Sequence, residues 1–250
     1  MPIENPWETF SYSFSSINNI LTGDDDFVKQ YEEFIKTKKR KYRQNNRLHL
    51  ELFPEPFEGN PNAPIYLLGG NPGYDKQDIE WCNGKEPKST TYLQLMNDNV
   101  RHKTERFVFF DERINSHKGS RWWGNRISDG IKHKIFNIEY IPYHSKKVIG
   151  LKDFLDKHPD TYIPLSNNYA DSLIANAIKE GKAIVITRLK DYWIKRIKKF
   201  YPMIEKYKNL YVLFDHQMAK VDKGNIVKYT EFEKLKENSY NDIVGKYPSK

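Results

Sequence analysis

Asn71 lies in the run Gly69-Gly-Asn-Pro-Gly-Tyr-Asp75, directly behind the apolar segment Pro64-Ile-Tyr-Leu-Leu68. Small residues let a backbone approach a ligand closely, and one amide among them offers it a donor and an acceptor. An amide is no base, but it can hold a water. Asn-Pro also opens many turns, so Asn71 reads equally as the cap of a turn ahead of Pro72. Gly73 reads from its type as a residue that permits a positive φ in a tight turn. Asp75 is the kind of carboxylate that caps a following helix, or helps to position a water. A second group, Pro142-Tyr-His-Ser145, sets a ring that can stack beside an imidazole and a hydroxyl that can hydrogen-bond; a packed strand terminus is the plainer reading. A third, Asp215-His-Gln-Met218, follows the apolar run Leu210–Phe214 and sets the His216 imidazole beside the amide of Gln217; a hydrogen-bonded surface histidine is the plainer reading.

These groups need strands to position them. Ile65–Leu68, Ile135–Ile141, Ala183–Thr187 and Leu210–Phe214 are short, apolar and rich in β-branched residues, as strands covered on both faces are. Ser166 is placed to cap a helix carrying Leu173, Ile174, Ala177 and Ile178 that Gly181 stops, and a second helix runs from Asp191 to Tyr201 before Pro202. Strands alternating with helices predict an α/β fold, a three-layer α/β/α sandwich around a central four-stranded, mainly parallel sheet with its site at the carboxyl ends of the strands. Asp24-Asp-Asp26 opens a further helix that reaches Lys38. Residues 101–126 have no period and are expected to form a long surface loop with one short strand at Phe107–Phe110. With no linker composition, residues 1–250 read as one domain: an N-terminal helical extension at 1–50, a core at 51–230 and a tail at 231–250.

Forty-one Lys and Arg against thirty-three Asp and Glu leave a net charge of +8. The excess gathers in Lys36–Arg43, in Lys118–Arg126 with Arg121, Trp122 and Trp123, and in Lys195–Lys199. Cations interleaved with rings favour a nucleic-acid partner, although each cluster alone is also an ordinary solvated face. The single cysteine, Cys82, excludes an internal disulfide and a multi-Cys zinc site. The seven histidines lack zinc-motif spacing, and there is neither a Gly-x-x-x-x-Gly-Lys-Ser/Thr loop nor a Gly-x-Ser-x-Gly elbow. No metal and no organic cofactor is expected. No apolar run is long enough to span a bilayer and the first residues lack the charge-then-apolar order of a secretory signal, so a cytoplasmic monomer with no membrane partner is expected.

Leu52-Phe-Pro-Glu-Pro-Phe-Glu-Gly59 followed by Ile65–Asp75 resembles the first motif of the uracil-DNA glycosylase superfamily, closest to the Gly-x-Asn-Pro-Gly form of its mismatch-specific branch. Phe136–Ser145 falls where that family has its second strand and base-reading residue, and Phe214–Ile226 where the fourth strand leads into the His-containing second motif. The resemblance implies a monofunctional DNA glycosylase that hydrolyses the N-glycosidic bond of a damaged, mismatched or modified pyrimidine, in repair or in defence against modified DNA. Asn71 then orients water beside the glycosidic carbon, His216 hydrogen-bonds the departing base, and Gly73 replaces the aromatic gate that excludes 5-substituted pyrimidines. Gly70, Pro72, Tyr74, Asp75, Tyr143, His144 and Gln217 would line the substrate pocket. Ser145, Lys220, Lys223, Asn225, Arg121 and Trp122 would meet DNA, and Met218 or Val221 would fill the hole left by a flipped nucleotide. Asp215–Met218 lacks the prolines and serine of the family's second motif. That departure keeps a second reading open, a catalytically degenerate module of the same fold that only binds nucleic acid or a nucleotide.

Overall fold

The computed structural model describes residues 3–13, 15–158, 164–215, 220–222 and 224–232. Among the described residues six strands form one sheet: β1 (Phe57–Gly59), β2 (Ile65–Leu68), β3 (Ile135–Ile138), β4 (Ala183–Ile186), β5 (Leu210–Leu213) and β6 (Ile226–Lys228). Their spatial order is β1-β3-β2-β4-β5-β6. The central four are parallel and are the four that the apolar runs predict: β2 has the expected bounds, β4 and β5 end one residue sooner and β3 three residues sooner. β1 and β6 add antiparallel edges, so the sheet has six strands rather than four. Phe-Glu-Gly and Ile-Val-Lys are too short to show a period, and they become strands by pairing with a neighbour already in place.

Both faces of the centre are covered. Tyr66, Leu67, Leu68, Phe136, Ile138, Ile184 and Ile186 are all buried, which requires helices on each side of the sheet and makes an α/β sandwich. The helices that cover it include α1 (Asp25–Lys36), α2 (Arg40–Asn46), α3 (Lys76–Cys82), α4 (Ser89–Val100), α5 (Lys118–Gly124), α6 (Ile149–Lys157), α7 (Asn167–Lys179) and α8 (Lys190–Lys198). α1 packs Phe27, Tyr31 and Phe34 edge-on around Phe154 of α6. Among the described residues, no helix is long and apolar enough to cross a membrane.

Three local expectations are corrected. Ser166 precedes α7, but its hydroxyl does not cap that helix: it donates to Asp24 Oδ2 at 2.6 Å while its amide donates to Asp24 Oδ1 at 2.9 Å. Asp24 is fully buried and is held by these groups, so a long-range tie replaces the local cap. α8 ends at Lys198, short of Tyr201. Residues 101–126 are no surface loop and contain no strand at Phe107–Phe110. Val108–Phe110 and Glu112–Ile114 are 3-10 turns, α5 follows, and Phe107, Val108, Phe109 and Ile114 enter the core. Single 3-10 turns leave no stretch long enough to register a period. Gly119 admits Phe109 there, since a Cβ on it would lie 2.5 Å from that ring.

Candidate functional site at the strand ends

The chain leaves β2 toward β3 on one side and leaves β4 toward β5 on the other, so the order of the sheet reverses between β2 and β4. In such a sheet the loops at that point part and leave a crevice at the carboxyl ends. Register sets the floor level: Leu68 pairs with both Ile138 and Ile186, which brings Gly69, Glu139 and Thr187 side by side as the next residues. Thr187 N and Oγ1 both donate to Leu68 O at 2.9 Å, and Trp193 Nε1 donates to Gly69 O at 2.6 Å. The two glycines follow from close packing. A Cβ on Gly69 would collide with the Glu139 carboxylate, and one on Gly70 would lie 2.9 Å from Val148 and 3.5 Å from Arg188 Cβ. Across the crevice, Leu189 adopts φ 52°, a left-handed conformation that costs a branched residue about 1–2 kcal/mol.

Asn71 sits at the lip, half-buried. Its Nδ2 donates to Pro72 O at 2.8 Å and to Ser145 Oγ at 3.0 Å, and Ser145 Oγ donates onward to Lys147 O at 2.9 Å. With the nitrogen anchored twice, Oδ1 is left as an acceptor that makes no hydrogen bond among the described residues. Gly73 is exposed and does not take a positive φ, which removes the turn explanation for it; a Cβ there would meet nothing within 4 Å. Pro72 is buried, and Tyr74 lies parallel on His49, ring centroids 3.3 Å apart. Asp75 caps α3: it accepts from Gln77 N at 3.1 Å, its own amide donates to Asp78 Oδ2 at 2.6 Å, and it pairs with Lys118. The Lys118 ammonium holds the Asp75 carboxyl below its ordinary range.

The Tyr143-His-Ser145 run supports the turn from beneath and is closed to a ligand. Tyr143 is 1% exposed; its hydroxyl donates to Asp24 Oδ2 at 2.8 Å and accepts from Leu21 N at 3.2 Å, so no face is free for a base. His144 is 4% exposed, with Nδ1 2.6 Å from Gly73 O and Nε2 2.8 Å from Phe53 O. Two carbonyls require two N–H donors, hence an imidazolium. Burial opposes that charge, but the Glu55 and Asp78 carboxylates and the two carbonyls outweigh it and raise the His144 pKa. Ser145 is buried with its hydroxyl engaged by Asn71 and Lys147, so it does not meet DNA in this arrangement. Asn225 is likewise corrected. It is buried and closes the loop after β5, donating to Asp215 O and Lys220 O at 2.9 Å and accepting from Asp215 N at 2.6 Å.

His216, Gln217, Met218 and Lys223 lie outside the described residues. Lys220 is exposed and 3.3 Å from Asp222, while Val221 is buried and bridges to Ile127 rather than projecting as a wedge. Arg121 and Trp122 are exposed on α5, and the Arg126 guanidinium lies on the Trp122 ring at 3.9 Å.

In comparisons with protein-family models, with curated proteins and with solved structures, nothing matches this chain. The site is therefore read from its own chemistry. Among the described residues no three His, Cys, Asp or Glu are grouped to hold a metal ion.

Three groups escaped the sequence reading. Glu139 follows β3, accepts from Asn137 Nδ2 at 2.9 Å through Oε1, and keeps Oε2 enclosed without a partner. Burial pushes its carboxyl up to about 7, against the pull of Asn137, His144 and Arg188. Glu55 is driven up to about 7 by burial as well, and Glu58, whose two oxygens are enclosed without partners, rises further. Arg188 follows Thr187 on the opposite lip, and Arg126 follows α5. A charged residue one or two places past a buried parallel strand is the signal that would have found Glu139 and Arg188.

Proposed function

We propose that this protein is a monofunctional DNA glycosylase acting in the cytoplasm, as a monomer, on a damaged, mismatched or modified pyrimidine, 5-substituted ones included. The observation that carries the reading is Asn71: its nitrogen is anchored by Pro72 and Ser145, and its oxygen is left at a strand-end crevice beside the unfilled space at Gly73. In the reaction the bond from C1′ to the base nitrogen breaks with its electron pair going to the base. The sugar becomes an oxocarbenium ion, and water held by Asn71 Oδ1 adds to C1′ and releases its proton, which neutralises the departed base. An amide cannot take that proton, so the route must be dissociative. Water rather than an amine is taken as the nucleophile, and Lys118, which reaches Asp75 of the turn, is held there in an ion pair. By the resemblance, His216 supplies the hydrogen bond to the leaving base.

The basic, ring-bearing face of α5 supports a DNA partner. One observation favours the rival reading of a binding module: Tyr143, His144 and Ser145 are enclosed and offer a base no contact. The two separate in one assay, base release from duplex and single-stranded oligonucleotides carrying uracil, mispaired thymine or bulky 5-substituted pyrimidines. Abasic product from the wild type that Asn71→Ala abolishes is expected. DNA binding by both proteins with no abasic product from either establishes the module instead.

A further inference from the structure

We propose that His144 is the positioning residue of the Asn71 turn: its doubly protonated ring is a strut from Phe53 O to Gly73 O, and loss of the Nδ1 proton releases the turn. The effect on base release rests on the glycosylase reading; the strut does not.

His144 and Ser145 together hold three successive residues of the turn. Ser145 Oγ accepts from Asn71 Nδ2 at 3.0 Å, Ser145 N donates to Pro72 O at 3.1 Å, and His144 Nδ1 donates to Gly73 O at 2.6 Å. The far end of the ring is fixed as well. Nε2 donates to Phe53 O at 2.8 Å, in the segment ahead of β1 that Glu55 N ties to Pro142 O at 2.8 Å. Neither acceptor has a proton to give. With one ring proton, a nitrogen lone pair would face a carbonyl oxygen 2.6 or 2.8 Å away, so the neutral ring cannot keep both contacts. Glu55 decides which contact fails: its Oε1 lies 3.5 Å from Nε2 and attracts the proton at that end. The proton that leaves is therefore the one on Nδ1, and the carbonyl released is that of Gly73, two residues from Asn71. Asp78 of α3 and Glu139 after β3 are the other acids that act on the ring, and His117, ahead of α5, is kept neutral by burial. With acids on three sides and no second cation among these groups, the strut is intact at low pH and fails as pH rises.

The first arm of the test is nuclear magnetic resonance of the full wild-type chain labelled with heavy nitrogen, the His144 and Asn71 side chains being assigned through their own backbone signals. At pH 6.5, where an ordinary histidine is half protonated, the His144 ring should carry protons on both nitrogens in most molecules. As pH is raised, the Asn71 side-chain amide signals should shift with the midpoint at which Nδ1 loses its proton. A ring with a single proton at pH 6.5 overturns the strut, and Asn71 signals that stay fixed through the His144 titration overturn the positioning. The second arm compares His144→Asn with His144→Gln in base release. The Asn amide nitrogen stands where Nδ1 stood and can still donate to Gly73 O, whereas the Gln nitrogen takes the place of Nε2 and reaches only Phe53 O. Each variant loses one of the two bonds, so their melting temperatures should fall alike. The Gln variant should lose kcat by about a hundredfold with KM little changed; the Asn variant should lose far less, and its kcat should no longer fall on the alkaline side. Equal losses of kcat in the two variants overturn the positioning role. If neither variant folds, the wild-type titration decides. A titration that behaves as expected, in a protein releasing no base from any DNA, upholds the strut and overturns the glycosylase reading.

Discussion

Replacing Glu139 by Gln should change how stability depends on pH, in a direction that the buried carboxyl dictates. The Glu139 pKa rises from 4.5 in the unfolded chain to about 7 in the fold, mainly through burial. Between those values the folded protein holds a proton that the unfolded chain has lost. The bound proton therefore favours the native state fully below pH 4.5, and the advantage drains away as pH climbs through 7. At 1.36 kcal/mol for each pH unit, the span amounts to about 3 kcal/mol. Glu55 behaves alike, with its pKa also near 7. His144, raised, has the same sign. His102 and His117 oppose them: burial lowers both to about 4, so their contribution grows as pH rises from 4 to 6.5. The wild-type profile mixes these opposing slopes, and the diagnostic quantity is the difference between variant and wild type. Urea unfolding at intervals from pH 4.5 to 8, with the m-value checked for constancy, measures it. The Glu139→Gln protein should gain about 3 kcal/mol on the wild type across that range. A difference curve that is flat, or that falls with pH, refutes the claim that Glu139 is protonated in the folded state near neutrality.

Other outcomes follow from the same contacts. Gly69→Ala forces a Cβ against the Glu139 carboxylate and should cost about 1–3 kcal/mol of stability, whereas Gly73→Ala, with nothing within 4 Å, should leave chemical denaturation unchanged and, on the proposed glycosylase reading, narrow the range of 5-substituted bases released. Tyr143→Phe leaves Leu21 N and Asp24 without their shared hydroxyl, a loss of about 1–3 kcal/mol in unfolding experiments; on the proposed glycosylase reading base release is unaltered. Trp122→Ala removes an exposed ring and the plate beneath Arg126. Equilibrium titration with single-stranded DNA should show binding weaker by about 1–3 kcal/mol, and melting should hardly move.

Where the sequence was legible, the reason is local. Ile65–Leu68 and Ala183–Ile186 announce themselves as central strands because burial on both faces demands an unbroken apolar run. Asp75 declares a helix cap, since a carboxylate ahead of a helical segment has a ready use for the first free amides. Residues 107–114 misled because their aromatic residues enter the core through 3-10 turns too short for any periodic signal.

The sequence by itself determined the four central strands, the helices between the later pairs, and the small-residue turn that carries Asn71, all properties of neighbours along the chain. Tertiary structure decided the rest. The six-strand order puts the turn opposite Arg188, and the shared register of Leu68, Ile138 and Ile186 brings Glu139 beneath Gly69. Whether Tyr143, His144 and Ser145 face a ligand or the core could not be read from their types, because the groups that claim them are Asp24, Phe53 and Asn71, each remote along the chain. A polar side chain has no intrinsic preference between water, a substrate and a distant buried partner; the fold makes that choice when it brings the partner within hydrogen-bond distance.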